Sequence, residues 1–163
     1  MKIIVLAGGL SPERDVSLTS GAGICKTLRE KGHQAFLLDV FFGLPYDTDK
    51  LDEVFDLPGG GLEIAEGIKT TVPDLEALKK QRPDQSDCLI GPNVLELCKM
   101  ADITFMGLHG SIGEDGKLQA MFDVLDIHYT GPNALSCTLS MNKLVSKQIF
   151  KMSGVPTLSL IHI

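Results

Sequence analysis

The residues best suited to chemistry are gathered in His109-Gly-Ser-Ile-Gly-Glu-Asp-Gly-Lys-Leu-Gln-Ala120. One imidazole and two carboxylates, Glu114 and Asp115, stand there among Gly110, Gly113 and Gly116. Such groups can carry protons or hold a charged ligand. The three glycines break regular structure and permit backbone angles that other residues avoid. The alternative is a plain connecting turn whose acidic residues charge the start of the next helix. Two further places carry charges of interest. Glu13, Arg14 and Asp15 follow the first apolar run, either as a ligand site or as a solvated loop. Lys143 stands at a predicted helix start, where a cation opposes the macrodipole. It reads as a group reaching toward a phosphate, or as a surface lysine.

These groups need elements to position them. Ile103, Phe105, Met106 and Leu108 predict a buried strand ending at His109, and Leu118, Met121, Phe122 and Leu125 recur as on a helix face. In open parallel α/β sheets ligands bind beyond the carboxyl ends of strands, where this loop falls. Lys2 to Ala7 is an almost continuous apolar run, as in a central parallel strand. Gly8-Gly9 ends it and Pro12 stiffens the loop. Asp15 is a candidate cap for a helix burying Val16, Ser20, Ile24 and Leu28, with Lys26, Arg29, Glu30 and Lys31 on its polar side. Gly21 and Gly23 fit close helix–sheet packing, and Gly32 fits the C′ position. Gln34 to Val40 completes a βαβ unit. The spaced G-x-G-x-x-G is missing, which disfavours a dinucleotide-binding domain.

Residues 41–92, rich in proline and glycine, read as an elaborated connection with a short helix over 73–80. A helix with Val94, Leu95, Leu97, Cys98 and Met100 on its apolar side leads to the strand before His109. Ile127–Thr130 predicts a short strand and Asn133–Leu139 a short helix. Ser140 is a candidate cap for a last helix carrying Lys143, Leu144, Ile149 and Phe150.

The 163 residues suffice for one domain with a real core, 44% hydrophobic and 22% charged. A net charge of -6 argues against a nucleic-acid surface. No apolar run approaches a membrane span, so no membrane partner is expected. Cys25, Cys88, Cys98 and Cys137 form no CxxC pair and no metal-like spacing; they read as small buried residues in a reducing compartment. With no signal-peptide pattern, a cytoplasmic location is expected.

Three blocks together resemble the D-alanine–D-alanine ligases of the ATP-grasp superfamily. They are Val5-Leu-Ala-Gly-Gly-Leu-Ser-Pro-Glu-Arg-Asp-Val-Ser-Leu18, Leu108-His-Gly-Ser-Ile-Gly-Glu-Asp-Gly-Lys-Leu-Gln119, and Tyr129-Thr-Gly-Pro followed by Ala134-Leu-Ser-Cys-Thr-Leu-Ser-Met-Asn-Lys143. The resemblance implies a three-layer, Rossmann-like α/β domain with a mainly parallel sheet, ending before the ATP-grasp domains. It implies a substrate-binding domain over 1–140 and the start of a central ATP-binding domain over 141–157. The implied reaction joins two D-alanines through an acyl phosphate for peptidoglycan precursors, consuming ATP with Mg2+. By the same resemblance Glu13 holds the ammonium of the first D-alanine, Ser17 supports that loop, His109 lies by substrate and developing phosphate, and Lys143 contacts ATP phosphates. The family reads Met-Asp-Lys where this chain has Met141-Asn142-Lys143, which puts a neighbouring hydrogen bond in question.

Most ATP- and magnesium-binding residues of such enzymes lie in domains beyond this stretch, so residues 1–163 alone are expected to be inactive. The parent is expected to be a homodimer. Alternatives are a D-lactate- or D-serine-using variant, or a non-catalytic module holding an amino acid or nucleotide. Leu158-Ser-Leu-Ile-His-Ile163 is what CTG TCT CTT ATA CAC ATC, a transposon-end adaptor, would encode. It is read as foreign to the gene, and His162 is given no role. Without a partner domain the last helices should expose apolar surface around Ile149 and Phe150 and promote aggregation.

Overall fold

The structure is a computed structural model that describes residues 1–45, 48–65, 67–68 and 71–159. Three parallel strands form the sheet: β1 (Lys2–Ala7) lies between β2 (Gln34–Asp39) and β3 (Ile103–Met106). The register sets Ile4 beside Phe36 on one edge and beside Thr104 on the other. Successive residues of a strand face opposite ways, and β1 feeds two cores accordingly. Ile3, Val5 and Ala7 pack with Ala35, Leu37, Leu18 and Cys25 beneath α1 (Arg14–Glu30). Ile4 and Leu6 pack with Phe36, Leu97, Leu118 and Phe122 on the other side. That second layer is built by α3 (Val94–Met100), α5 (Lys117–Val124) and the 3-10 segment Thr48–Asp56. The result is the expected three-layer α/β arrangement.

Several local expectations change. Helix α1 buries Arg14, Ser17, Leu18, Gly21 and Cys25, while Val16 is exposed and Ser20, Ile24 and Leu28 are half-buried. The helix lies close on the sheet, so the small residues Ser17, Gly21 and Cys25 share the inward face with Leu18. A Cβ on Gly21 would lie 2.8 Å from the Cβ of Ala7, whereas Gly23 has open space around it and no packing role. Asp15 does not cap α1. Glu13 occupies the N-cap position without a side-chain cap bond, and Asp15 falls in the first turn. Gly32 holds the expected positive φ after the helix.

The expected strand at 127–130 is reduced to one parallel bridge, Thr104 to Tyr129. Asp126 with φ 55° precedes it and Gly131-Pro132 follows, leaving too little chain for a ladder. The connection 41–92 contains α2 (Leu75–Gln81), capped by Asp74 Oδ1, which accepts from the N–H groups of Glu76 and Ala77. Beyond the sheet, α6 (Ala134–Met141) and α7 (Lys143–Met152) form a hairpin. Ser140 is inside α6, and the cap of α7 is Asn142, whose Oδ1 accepts from Val145 N at 3.1 Å. Of the cysteines, Cys88 is exposed because it sits on the surface connection rather than under a layer. Residues 160–163, with most of the stretch read as foreign, lie outside the described residues.

Candidate functional site

The site forms where the carboxyl ends of β1 and β3 meet the start of α1. Gly8 and Gly9, with φ of 72° and 84°, turn the chain out of β1 in a conformation that disfavours side chains. Ser11 then accepts the N–H of Glu13 on its Oγ at 3.1 Å, and its carbonyl accepts Arg14 N at 3.1 Å. This small turn launches the helix in place of a conventional cap.

From the N-cap into α1, positions 13, 17 and 20 share one stripe, since residues three and four apart lie on one helix face. That stripe addresses the loop after β3. Ser17, fully buried, donates to the carbonyl of Gly107 at 2.7 Å and accepts from Gly8 N at 2.9 Å. One hydroxyl thus ties together the ends of both strands. Ser20 Oγ lies 3.4 Å from His109 Nε2, with the proton on whichever partner the tautomer dictates. A Cβ on Gly110 would lie 3.6 Å from Glu13 Oε2 and would strike Ser11 Oγ, so glycine lets the loop approach Glu13. Glu13 is exposed and His109 half-buried. Glu13, Ser17 and His109 are therefore brought to one place from two segments far apart in the chain.

The loop after His109 is not wholly irregular. It contains one turn of helix, α4 (Ser111–Glu114), before Gly116 at φ 89° opens α5. Buried Gln119 donates from Nε2 to Gly113 O at 2.6 Å and folds the loop back on α5. Thr138 Oγ1 donates to Asp115 O at 3.0 Å, fixing α6 against the same loop. Asp115 is engaged with Lys117 (2.8 Å) and Glu114 lines a cleft on another side of the loop.

Lys143 is placed elsewhere. It is exposed at the start of α7 and lines a cleft of about 650 Å3 with Met106, Leu108, Glu114, Gln119 and Cys137. That lining includes neither Glu13 nor His109. The substitution of Asn for Asp at 142 leaves the helix cap intact, because the amide oxygen accepts the same kind of bond. No cluster of three or more His, Cys, Asp or Glu side chains is placed to hold a metal among the described residues. These residues do not themselves constitute a magnesium site.

Sequence reasoning missed Arg14 and Asp39. Arg14 sits in sequence between two acidic residues as in a charged loop, yet it is 8% exposed and its guanidinium contacts the Asp39 carboxylate, itself 4% exposed. The available signal was Asp39 itself, a carboxylate set among Phe36, Leu37, Leu38, Val40 and Phe41. A charge in such a run demands a buried partner.

A sequence model of the family described as D-ala D-ala ligase N-terminus matches residues 2–132. The chain belongs to that family. A D-alanine–D-alanine ligase of Lacticaseibacillus casei is 45% identical over 159 residues, covering 96% of this chain and 43% of the relative. One from Pediococcus pentosaceus is 39% identical over 160 residues, covering 96% of this chain and 44% of its own. The chain thus spans less than half the length of the curated relatives it matches. The crystal structure of D-alanine–D-alanine ligase from Bacillus anthracis complexed with ATP is similar over 100% of this chain and 41% of its own, at TM-score 0.59 and 23% identity. That likeness supports the ligase family's N-terminal fold.

Proposed function

We propose that this chain is the N-terminal portion of an ATP-dependent ligase that joins two D-alanines in making peptidoglycan precursors in the cytoplasm. The observation that carries the proposal is the convergence of Glu13 and His109 through Ser17, on the stretches that match the ligase family. An exposed carboxylate in a rigid turn is suited to an amino acid's ammonium group, and anchoring that end orients the carboxylate at the other. His109, steadied by Ser20, stands where it can hydrogen-bond that carboxylate as its charge changes. Lys143 reaches a phosphate of ATP.

In the proposed reaction an oxygen of the first D-alanine's carboxylate attacks the γ-phosphorus of ATP, and ADP leaves. The amine of a second D-alanine attacks the acyl carbon, the carbon–oxygen bond to phosphorus breaks, phosphate leaves with that bridging oxygen, and the nitrogen gives up a proton to solvent. Residues 1–140 form the substrate-binding unit, 141–157 begin the ATP-binding portion, and 158–163 are foreign to the natural protein. The remainder supplies magnesium ligands and most of the charge stabilisation, and the complete protein is a homodimer. Residues 1–163 alone therefore catalyse no turnover.

The test joins residues 1–157 to the remainder of the Lacticaseibacillus casei ligase in place of that enzyme's own first portion. Phosphate release dependent on both ATP and D-alanine is expected from the joined protein and not from residues 1–163. A Glu13→Gln variant should lose at least about tenfold in kcat/KM for D-alanine, the scale of a charge-assisted contact. A folded joined protein without D-alanine-dependent release, or a Glu13→Gln variant with unchanged kinetics, would overturn the proposal.

A further inference from the structure

We propose that Arg14 and Asp39 are positioning residues that aim Glu13 at its ligand. The inference rests on Glu13 being the ammonium anchor, and it assigns how that carboxylate is held. Arg14 follows Glu13 directly, yet points into the protein. Its guanidinium contacts Asp39 Oδ2, donates from Nη1 to Gly9 O at 3.0 Å, and lies over the Phe42 ring with Cζ 4.9 Å from the centroid. Asp39 Oδ1 accepts from Phe41 N at 2.8 Å, Phe42 N at 3.1 Å and Gly9 N at 3.4 Å. Both main-chain groups of Gly9 are therefore held by one buried ion pair, the N–H by Asp39 and the carbonyl by Arg14. The same pair holds the turn that leaves β2. The glycine loop is thereby clamped to the end of the neighbouring strand.

The consequence for Glu13 follows from helix geometry. Successive helical residues point about 100° apart around the axis, a result of 3.6 residues per turn. Anchoring the head of Arg14 against Asp39 fixes the rotation of the first turn of α1. Glu13 is then directed along the stripe of Ser17 and Ser20, toward Gly107–Gly110. Stability alone gives no reason for the pair, because apolar residues of similar volume usually serve a core as well as a buried ion pair does. An apolar pair, however, could not hold both groups of Gly9 and the two N–H groups of the β2 turn.

The Gly8 position shows how tightly this is built. A Cβ there would lie 2.7 Å from Asp39 Cγ, so the carboxylate occupies space that only glycine leaves open. Ser17 fixes the loop from the β3 side through Gly8 N. The Arg14–Asp39 pair fixes it from the β2 side through Gly9. Glu13 stands on the segment between these two anchors and the helix.

The experiment uses the joined ligase with the double replacement Arg14→Met and Asp39→Leu, which leaves no lone buried charge and removes the acceptor that holds Gly9 N and the β2 turn. The expected result is a KM for D-alanine raised about tenfold or more, with kcat and the KM for ATP within about threefold, because Glu13 is misdirected while the chemistry elsewhere is intact. Arg14→Lys, which retains the charge, should recover part of the loss. A purely structural pair would instead lower the melting temperature or the active fraction with the KM for D-alanine unchanged, and that outcome overturns the proposal. Amide hydrogen exchange on residues 1–163 gives an answer independent of turnover. Gly9, Glu13 and Arg14 should exchange about tenfold faster in the double variant, with Val5 in β1 unaltered. Unaltered exchange at those positions overturns the clamp, whereas a wild-type joined protein without turnover overturns the ligase reading alone.

Discussion

Replacing Ser17 with alanine removes a side chain that links the ends of β1 and β3. The hydroxyl donates to Gly107 O at 2.7 Å and accepts from Gly8 N at 2.9 Å, and the residue is 0% exposed. Alanine would leave a carbonyl and an N–H buried without partners. Each such orphan costs about 1–3 kcal/mol, so the substitution should cost about 2–6 kcal/mol. For a domain of this size each kcal/mol moves the melting temperature by about 2–4 °C, which gives a fall of about 4–24 °C. Thermal unfolding of residues 1–163 followed by circular dichroism measures it directly. Thr19→Ala is the control. Thr19 Oγ1 donates at 2.8 Å to Asp15 O within α1 itself, and its loss should cost less than about 1 kcal/mol. A Ser17→Ala melting temperature within about 2 °C of the wild type would refute the claim that these two bonds hold the strand ends together.

Burial pushes the Cys25 thiol up to about 11 and the Cys98 thiol up to about 12, from an ordinary value of 9.0. Below pH 9 these thiols are protonated in the folded and unfolded chain alike. Above it the unfolded chain loses the protons first, so stability should fall as pH rises from about 9 toward 11, by up to about 1.4 kcal/mol per pH unit for each thiol. Cys25→Ala should flatten that decline in denaturant titrations, and an unchanged slope would count against the burial. A thiol reagent at neutral pH should label exposed Cys88 rapidly and the other three only after unfolding, which mass spectrometry of the labelled chain resolves. Asn142→Ala removes the cap of α7 and should cost about 1 kcal/mol, whereas Asn142→Asp should be neutral or better beside the helix N-terminus. Exchange at the Val145 amide distinguishes these outcomes. Leu144, Ile149 and Phe150 are exposed on α7, so residues 1–163 should self-associate, and Leu144→Glu with Phe150→Glu should yield monomers by sedimentation. A wild-type chain that stays monomeric at the same concentration would remove that surface from consideration.

Local chemistry made the outline readable. An apolar run, a glycine pair, a periodic helix and a terminal glycine specify β1, α1 and β2 with little reference to anything distant, because strand and helix periods are properties of neighbouring residues. The loop beginning at His109 was legible as a break between strand and helix because glycines at 110 and 116 adopt angles that side chains resist. The family pattern added Ser17 and gave roles to Glu13, His109 and Lys143, and the fold brings Glu13, Ser17 and His109 together while setting Lys143 on a different cleft.

What the chain could not announce locally was which side of α1 would face the sheet. Periodicity favoured Val16 and Ile24, but the close approach of the helix to β1 and β2 buries Leu18 and Cys25 instead, around the Gly21 that the sequence marked for close packing. Arg14 looked like a loop charge because its partner, Asp39, is a whole helix and strand away. Its burial follows from how β1 and β2 pair. Asn142 displaced Ser140 as a cap because α6 runs on to Met141, two residues past the expected end, while packed against the loop at Asp115. Sequence by itself determined the elements and the chemical types available, through interactions between near neighbours. Tertiary structure decided which of those groups face one another, since packing and electrostatic pairing act between segments that only the assembled sheet brings within reach.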